Sequence, residues 1–317
     1  MAGGRDRRRL CPVIAGPTAV GKSRLVVELA GTFPIEVISL DSRQVYHGLR
    51  IGTAQPSAEE QAACRHHLID FLSPDEAYSA QRFRQDFTRV WTEITGRGKL
   101  PILVGGAGMY LKAVEEGFFQ LPPGSHERLP AVRAEIEALP PAEVDRELLL
   151  ADPASATRLH PNDQYRRRRA LEVCRLTGRA FSDLMAEQAA RPAHGLAFPL
   201  VLLERSTPQL DARIAVRTRV MLDEGWIEET RDLLRRHDPD GPGLRSIGYA
   251  EIVQHLHGGL AGQDLAPAIV TATRQYAKRQ RTWFRSHPRE GAGEPDSQPV
   301  RAALERVIQR ALDALER

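Results

Sequence analysis

The sequence predicts an α/β protein with a parallel β-sheet, helices on both faces of the sheet and an all-helical insertion domain. Three observations predict this fold. Short β-branched apolar runs alternate with helical patterns over residues 10–120 and again over residues 196–290. A glycine-rich loop follows the first apolar run. Residues 121–195 contain no strand pattern, and residues 291–317 predict a linker and a final helix.

The glycine-rich loop reads G-x-x-x-x-G-K-S and lies between a short apolar run and a helical pattern. This order of strand, loop and helix predicts a P-loop NTPase-like core that binds a phosphate compound. The glycines let successive backbone N–H groups point at phosphate oxygens, the lysine adds a cation, and the serine hydroxyl can bind Mg²⁺. The predicted phosphate-binding residues are Gly16, Pro17, Thr18, Ala19, Val20, Gly21, Lys22 and Ser23.

The next predicted strand, Ile35–Leu40, ends at Asp41. In an open α/β sheet, ligands bind outside the carboxyl ends of the strands, so we expect Asp41 at the mouth of the phosphate site. Three roles are open for this carboxylate: a cap of the next turn, a Mg²⁺ ligand through water, or a general base that acts on an acceptor. Its position does not separate the last two.

The strand predicted at Leu100–Val104 runs into the glycine cluster Gly105–Gly108. No aspartate ends this strand, which counts against a motor or switch NTPase. Glycines at a carboxyl end allow a ligand to approach the backbone closely. In the segments between the strands, residues 44–56 predict an ordered loop. For the adjacent His66 and His67 we favour a structural role, since they lack partners at metal-ligand spacing.

The insertion predicts helices at Glu127–Leu139, Ala142–Leu150 and Gln164–Thr177, the last capped by Asp163. Four consecutive arginines, at 166–169, cover nearly every face of the last helix, so at least one must point inward or toward a partner. A solvated basic helix and binding to nucleic-acid phosphates are both open. The proline-rich ends of the insertion, Leu121–Gly124 and Arg191–Pro192, are predicted hinges.

Two later helices carry basic side chains. On the helix at Leu210–Leu222, we expect Arg213 at the surface, and Arg217 is the better candidate for a phosphate contact. On the helix at Ile269–Arg285, four basic residues form one stripe, the basic ridge. No acidic side chain occurs within this segment, which favours a polyanion partner over a solvated face. The basic ridge consists of Arg274, Lys278, Arg281 and Arg285.

Composition sets the remaining bounds. The net charge is only +3, and the three cysteines show neither a C-x-x-C pair nor metal-ligand spacing. No apolar run has the length of a membrane span, and the N-terminus lacks the apolar region of a secretory signal. We therefore expect a soluble, monomeric, cytoplasmic enzyme with free thiols. We also expect residues 291–299 to be disordered, and the helix from Arg301 to carry no evident chemistry.

Taken together, the motifs resemble the bacterial tRNA dimethylallyltransferases of the IPP transferase family, which isopentenylate an adenosine next to the anticodon. The resemblance extends from about Val13 to His287. It rests on seven blocks in the same order: GPTAVGKS (16–23), DSRQVYHGLRIGTAQP (41–56), HHLID (66–70), PILVGGAGMY (101–110), LHPND with Arg166 and Arg169 (159–169), SIGYAE (246–251) and TRQYAKRQRTWF (273–284).

The resemblance implies roles for single residues. The P-loop would hold the diphosphate of dimethylallyl diphosphate with Mg²⁺, and Arg217 would contact the leaving diphosphate. Asp41 would be the general base for the adenine N6 amine, at position 37 of the tRNA. The insertion would close on the anticodon stem-loop. Residues matched to tRNA contacts are Ser42, Arg43, Gln44, Gly106, Ala107, Gln164, Arg166, Arg167, Arg168, Arg169, Arg245, Gly248, Tyr249, Arg274, Lys278 and Arg281.

Two departures from the family pattern affect possible polar contacts. Ala107 stands where the family usually has threonine, and Gln55 where it often has lysine. Two rival functions use the same motifs. A kinase of a nucleoside or other small molecule would bind ATP in the P-loop, but it has no need of Asp41 together with an arginine-rich insertion. An RNA-binding module without catalysis would not need Asp41, Lys22 and Ser23.

Overall fold

A computed structural model describes residues 9–117, 121, 122, 124–189 and 195–316. The chain divides into two compact units, a core unit of Met1–Glu115 with Gly195–Arg317 and an insertion unit of Glu116–His194. The strands are β1 (Arg9–Leu10), β2 (Val13–Ala15), β3 (Ile35–Leu40), β4 (His66–His67), β5 (Leu100–Gly105), β6 (Leu196–Ala197), β7 (Leu200–Leu203) and β8 (Gly291–Gly293).

Helices connect the strands of the core unit and build the insertion unit. They are α1 (Lys22–Ala30), α2 (Ala58–Ala63), α3 (Ala80–Thr95), α4 (Gly108–Glu115), α5 (Ser125–Glu137), α6 (Pro141–Ala151), α7 (Pro153–Arg158), α8 (Gln164–Thr177), α9 (Phe181–Ala189), α10 (Thr207–Asp223), α11 (Trp226–Leu234), α12 (Tyr249–Leu256), α13 (Gly262–Phe284) and α14 (Gln298–Leu315).

The main sheet of the core unit is parallel, with its six strands in the order β4-β3-β5-β2-β7-β8. All six residues of β3 and five of the six in β5 are buried, as expected for a parallel sheet covered on both faces. One apolar cluster on the sheet includes Leu25 and Leu304, and another includes Phe87 and Phe284. In the strand register, Gly105 of β5 is paired with Ala15 of β2 and Leu40 of β3, and Ala15 is also paired with Leu202 of β7. The carboxyl ends of these four strands therefore lie at one edge of the sheet.

The C-terminal segment corrects the prediction of a disordered linker. Residues 291–293 form β8, which pairs with β7 at the edge of the sheet. On α14, buried Val300, Leu304 and Ile308 join the apolar cluster that also covers α1. The glycine-alanine strand carries no β-branched side chain, so neither its composition nor its length indicated pairing.

The insertion unit is all-helical in its described residues. Its apolar core includes Val132 and Ile136 of α5, Leu148 of α6 and Leu171 of α8. The predicted hinge at Arg191–Pro192 lies outside the described residues, as does Pro123 in the other hinge. Within the described parts of the chain, none of the helices combines the length and the apolar character needed to cross a membrane.

Candidate active site

The loops after β2, β3 and β5 meet at the carboxyl edge of the sheet. The N–H of Gly16 donates to the Gly105 carbonyl at 3.2 Å, and the N–H groups of Gly106 and Ala107 both donate to the Leu40 carbonyl at 3.0 Å. A Cβ added to Gly105 would lie 2.1 Å from that Leu40 oxygen, so only glycine fits. The P-loop and the segment that begins at Asp41 are therefore held together from both sides of β5.

The P-loop has the backbone of a tight anion-binding turn. Ala19 has φ 61° and Gly21 has φ 114°, both in the left-handed region, and α1 begins directly after Gly21. Lys22 Nζ donates to the carbonyls of Gly16 and Pro17, each at 2.9 Å. Burial lowers the pKa of Lys22 to about 8; the Asp41 carboxylate opposes this shift and Arg217 adds to it. A phosphate group would restore the cationic form by replacing lost solvation.

Arginines of α10 and the residues before it surround the P-loop. Arg217 Nη1 lies 3.3 Å from the Thr18 hydroxyl oxygen, and burial lowers the pKa of Arg217 from its usual value. Arg213 Nε donates to the Ala19 carbonyl at 2.7 Å, and Arg205 Nε donates to the Val20 carbonyl at 3.0 Å. Arg213 is exposed, as expected, and its side chain also braces the loop through the Ala19 carbonyl.

Asp41 uses one carboxylate oxygen for local structure. Its Oδ1 accepts the N–H of Arg43 at 2.8 Å and of Gln44 at 3.4 Å, which is the predicted capping role. Its Oδ2 has no hydrogen-bond partner among the described residues and is the oxygen available for proton transfer. The pKa of the nearby Tyr276 phenol is raised, mainly by burial and secondly by the negative charge of Asp41. Capping and general-base chemistry are thus compatible in one side chain.

A cavity of about 310 Å³ lies against the P-loop in the core unit. Its polar wall includes Thr18, Asp41 and Arg217, and its apolar wall includes Met221 and Ile269. Predicted site residues that line it are Thr18, Ala19, Asp41, Ser42, Arg43, Arg217 and Arg245. Lining residues that the sequence interpretation missed include Thr273, Tyr276 and Arg279 of α13. Phosphate-binding, carboxylate and apolar groups therefore share one space.

A match to the protein-family model described as IPP transferase extends over residues 44–287. The chain belongs to the IPP transferase family. It is 45% identical to the tRNA dimethylallyltransferase of Chromobacterium violaceum over 86% of this chain and 85% of that protein. A tRNA isopentenylpyrophosphate transferase structure from Bacillus halodurans matches at 33% identity and TM-score 0.68, covering 98% of each chain. A eukaryotic dimethylallyltransferase acting on tRNA matches at 29% identity and TM-score 0.78, covering 91% of this chain and 74% of that one.

Membership of the IPP transferase family confirms the predicted resemblance, the P-loop fold and the interpretation as a prenyl-group transferase. The kinase alternative receives no support from these relatives. The site residues were assigned from the sequence alone, and the structure moves several of them out of the predicted roles.

Several residues predicted to contact tRNA are used inside the core unit of this IPP transferase. Gln44 accepts from Ser39 Oγ at 2.8 Å and donates to the Ala54 carbonyl at 3.0 Å. The fully buried Tyr249 donates to Glu229 at 2.6 Å. Gly248, in the left-handed region at φ 89°, lies against Trp226, where a Cβ would fall 1.9 Å from the ring. Tyr249 and Gly248 are buried in the core, and the half-buried Gln44 uses its side-chain amide within the protein. RNA contact by these residues stays a prediction.

The glycines after β5 also face protein rather than a ligand, contrary to the prediction. A Cβ on Gly106 would lie 2.0 Å from Gln280 Nε2, and one on Gly108 would lie 2.1 Å from Trp283 Nε1. Gln280 was missed from the sequence. The helical spacing of the sequence could have indicated its burial, because Gln280 falls on the same helix face as the apolar Ala277 and Phe284.

The four consecutive arginines of α8, at 166–169, divide into two kinds. Arg167 is buried, pairs with Asp145 at 2.5 Å and donates to the carbonyls of Ala156 at 2.9 Å and Leu159 at 2.7 Å. Arg168 donates to carbonyls at the end of α5. These two arginines hold the insertion unit together, which corrects their assignment as RNA contacts. Gln164 likewise donates to Asp145 at 3.3 Å.

The other two of the four consecutive arginines are more accessible to solvent. Arg166 has 67% of its side chain exposed, beside Asp163 at 3.4 Å. Arg169 has 40% exposed and pairs with Glu172 at 2.6 Å. RNA contact therefore stays a prediction for Arg166 and Arg169.

Ala107, which was also matched to a tRNA contact, is half-buried and does not line the cavity.

The basic ridge lies along the exposed side of α13, with Arg285 just beyond its last residue. Residues 269–285 contain no acidic side chain, but an acidic residue from another helix lies beside the ridge. Arg274 pairs with Asp211 of α10 at 3.4 Å. Arg281 donates to the Thr207 hydroxyl at 2.6 Å. Lys278 completes the exposed row. RNA binding by the ridge stays a prediction.

Proposed function

We propose that this protein transfers the dimethylallyl group of dimethylallyl diphosphate to the N6 amine of an adenosine next to the anticodon of tRNA, position 37, and releases diphosphate. The observation that carries the proposal is the shared cavity, which Asp41 lines together with Thr18 and Arg217. The curated relatives are named tRNA dimethylallyltransferase and extend over most of the chain.

The acceptor is a poor nucleophile, because the lone pair of an exocyclic adenine amine is delocalised into the ring. A positioned base that takes a proton as the new C–N bond forms offsets this weakness. Asp41 Oδ2 is suited to that role, since Oδ1 already holds the carboxylate in place through backbone N–H groups. The proton moves from N6 to the carboxylate.

The donor loses diphosphate as its allylic carbon gains positive charge. Negative charge then builds on the leaving oxygens, where preorganised donors lower the barrier most. Lys22, Arg217 and the N–H groups at the start of α1 are placed to receive that charge. The apolar wall around Met221 and Ile269 suits the five-carbon tail.

The residues present fit a bound Mg²⁺. Ser23 is exposed in the first turn of α1, and its hydroxyl makes no hydrogen bond within the described chain. Ser23 and diphosphate oxygens would hold the ion, as is common for P-loops. When bound, Mg²⁺ supplies additional charge stabilisation for the diphosphate.

The RNA is the second substrate of the proposed reaction. The target base must leave its stack, at a cost of a few kcal/mol. The rim arginines Arg43, Arg245 and Arg279 are exposed around the cavity and, with the basic ridge, can offset that cost through phosphate contacts. We propose the anticodon stem-loop as the part that is bound.

The test is incubation of the protein with dimethylallyl diphosphate, Mg²⁺ and unmodified tRNA, followed by mass analysis of the nucleosides. The expected product is adenosine carrying one dimethylallyl group, with release of diphosphate. A parallel reaction with labelled ATP and a nucleoside tests the kinase alternative. Phosphoryl transfer without prenylated adenosine would overturn the proposal.

A further inference from the structure

Gln280 is a buried glutamine of α13 whose amide joins two loops at the carboxyl edge of the sheet. Its side chain is only 5% exposed. Oε1 accepts the backbone N–H of Thr18 at 2.8 Å, and Nε2 donates to the Gly106 carbonyl at 3.2 Å. Thr18 and Gly106 follow the neighbouring strands β2 and β5. The amide therefore ties the start of the P-loop to the loop after β5.

Thr18 carries this contact to the diphosphate site. Its hydroxyl accepts from Arg217, and Thr18 and Arg217 both line the cavity, whereas Gln280 lies behind the wall. The N–H that Gln280 holds belongs to the same residue as that hydroxyl. Fixing the Thr18 peptide therefore restricts the positions that its hydroxyl, and the guanidinium bonded to it, can take.

We propose that Gln280 is a positioning residue for the diphosphate: its amide holds Thr18, and through Thr18 Arg217, in the geometry that binds the leaving group. The inference rests on the proposed function for the identity of the ligand, since it requires a diphosphate in the P-loop. Gln280 touches neither substrate in this role.

The chemistry of the two contacts selects a neutral amide. One contact needs an acceptor and the other needs a donor, and glutamine supplies both in one group. Methionine has nearly the same length but would leave the Thr18 N–H and the Gly106 carbonyl unpaired in a buried place. Ionised glutamate would keep the acceptor and turn an oxygen toward the Gly106 carbonyl, whereas protonated glutamate restores the donor.

Gly106 offers an independent way to displace the amide. A Cβ at this position would fall 2.0 Å from Gln280 Nε2, the flexible end of the side chain. The backbone of Gly106 does not adopt a positive φ, so alanine is compatible with its conformation. The same Cβ would also lie 3.0 Å from the Gly16 carbonyl oxygen. Gly106→Ala therefore displaces the amide without changing its chemistry but also presses on the P-loop backbone, so its effect is compared with that of Gln280→Met.

The first experiment measures the Kd of magnesium diphosphate by titration calorimetry with the full chain. We expect Gln280→Met and Gly106→Ala to weaken binding about tenfold or more, the range for one buried unpaired polar group. Gln275→Met is the matched control, because Gln275 is exposed on the same helix. It should bind as the wild type does. Wild-type affinity in both Gln280→Met and Gly106→Ala would overturn the proposal.

The second experiment uses pH and does not depend on Gln280→Met folding. For Gln280→Glu, the affinity relative to wild type should rise toward one as pH falls, because protonation recreates the donor. Burial raises the pKa of a carboxyl group, which brings this recovery into an accessible range. A ratio that stays at one throughout the pH series would overturn the proposal. Thermal unfolding of each variant, followed in parallel, identifies any variant that fails to fold.

The two proposals fail differently. If the wild type binds magnesium diphosphate but produces no prenylated adenosine, the proposed function fails and the role of Gln280 in binding stands. If prenylated adenosine forms and Gln280→Met and Gly106→Ala bind diphosphate normally, the proposed function stands and the positioning role fails.

Discussion

Arg217 reaches from α10 to the P-loop, where its Nη1 lies 3.3 Å from the Thr18 hydroxyl oxygen. If Arg217 stabilises the charge that develops on the leaving diphosphate, as proposed, Arg217→Lys should lower the single-turnover transfer rate by about 100-fold. Arg219→Lys, on an exposed position of the same helix, is the control and should keep the wild-type rate. Equal rates for the two variants would remove Arg217 from the site.

Lys22 gives the diphosphate site a dependence on pH. Burial lowers its pKa to about 8, so the free protein loses the ammonium charge as pH rises through 8. We expect affinity for dimethylallyl diphosphate to fall above that pH. In Lys22→Met the affinity should be weaker throughout and this decline absent. The ratio of the two dissociation constants across pH 6.5–9.5 isolates Lys22 from titration of the ligand, and a constant ratio would contradict the assignment.

Arg167 and Arg166 are neighbours on α8, but their replacement should affect the stability of the insertion unit very differently. Arg167→Ala removes a buried cation with three partners and should destabilise the insertion unit by about 3 kcal/mol. Arg166→Ala should change stability by less than about 0.5 kcal/mol. Hydrogen exchange of the peptide over 164–177 measures this difference. Similar protection in both variants would contradict the buried role of Arg167.

Arg166 and Lys278 test RNA binding by exposed cations. Arg166→Ala should lower the slope of log affinity for tRNA against log salt by about 1, the effect of one lost phosphate contact. The slope should fall in the same way for Lys278→Ala on the basic ridge. An unchanged slope for both variants would show that these exposed cations do not contact RNA phosphates.

Leu304 tests the place of α14 in the core. It is 1% exposed and packs in the cluster on the sheet that also contains Leu25. Leu304→Ala should lower the free energy of unfolding by about 3 kcal/mol, measured by urea titration. Glu305→Ala, at the next position and exposed, should have little effect. A small effect for Leu304→Ala would contradict the packing of α14 in the core.

Much of the fold could be predicted because it depends on local patterns. The strand Ile35–Leu40, which is rich in β-branched residues, and the capped helix Gln164–Thr177 have the predicted bounds to the residue. β8 could not be predicted, because Gly291–Gly293 becomes a strand only through pairing with β7 and close packing of Ala303 against Gly291. Such pairing leaves no trace in the composition of the segment.

The site was predictable where a motif carries its own chemistry. The P-loop and Asp41 were recognised from residue type and strand position. Gln280, and the contact of Arg213 with the P-loop, were missed because their partners, Thr18 and Ala19, are more than 190 residues away in the chain. The internal partners of Tyr249 and Arg167 were missed because polar residues in a motif can be satisfied by the protein itself, which only the packed structure reveals.

In the proposed mechanism, Asp41 acts as the base while the P-loop holds the leaving diphosphate. The most direct test is single-turnover transfer to tRNA by Asp41→Asn, with tRNA affinity measured on the same sample. The amide keeps the Oδ1 contacts with the N–H groups of Arg43 and Gln44 but does not accept the proton. We expect Asp41→Asn to transfer the dimethylallyl group at least about 100-fold more slowly than the wild type, with nearly unchanged affinity for tRNA. Transfer within a few-fold of wild type, or equal loss of transfer and tRNA binding, would contradict it.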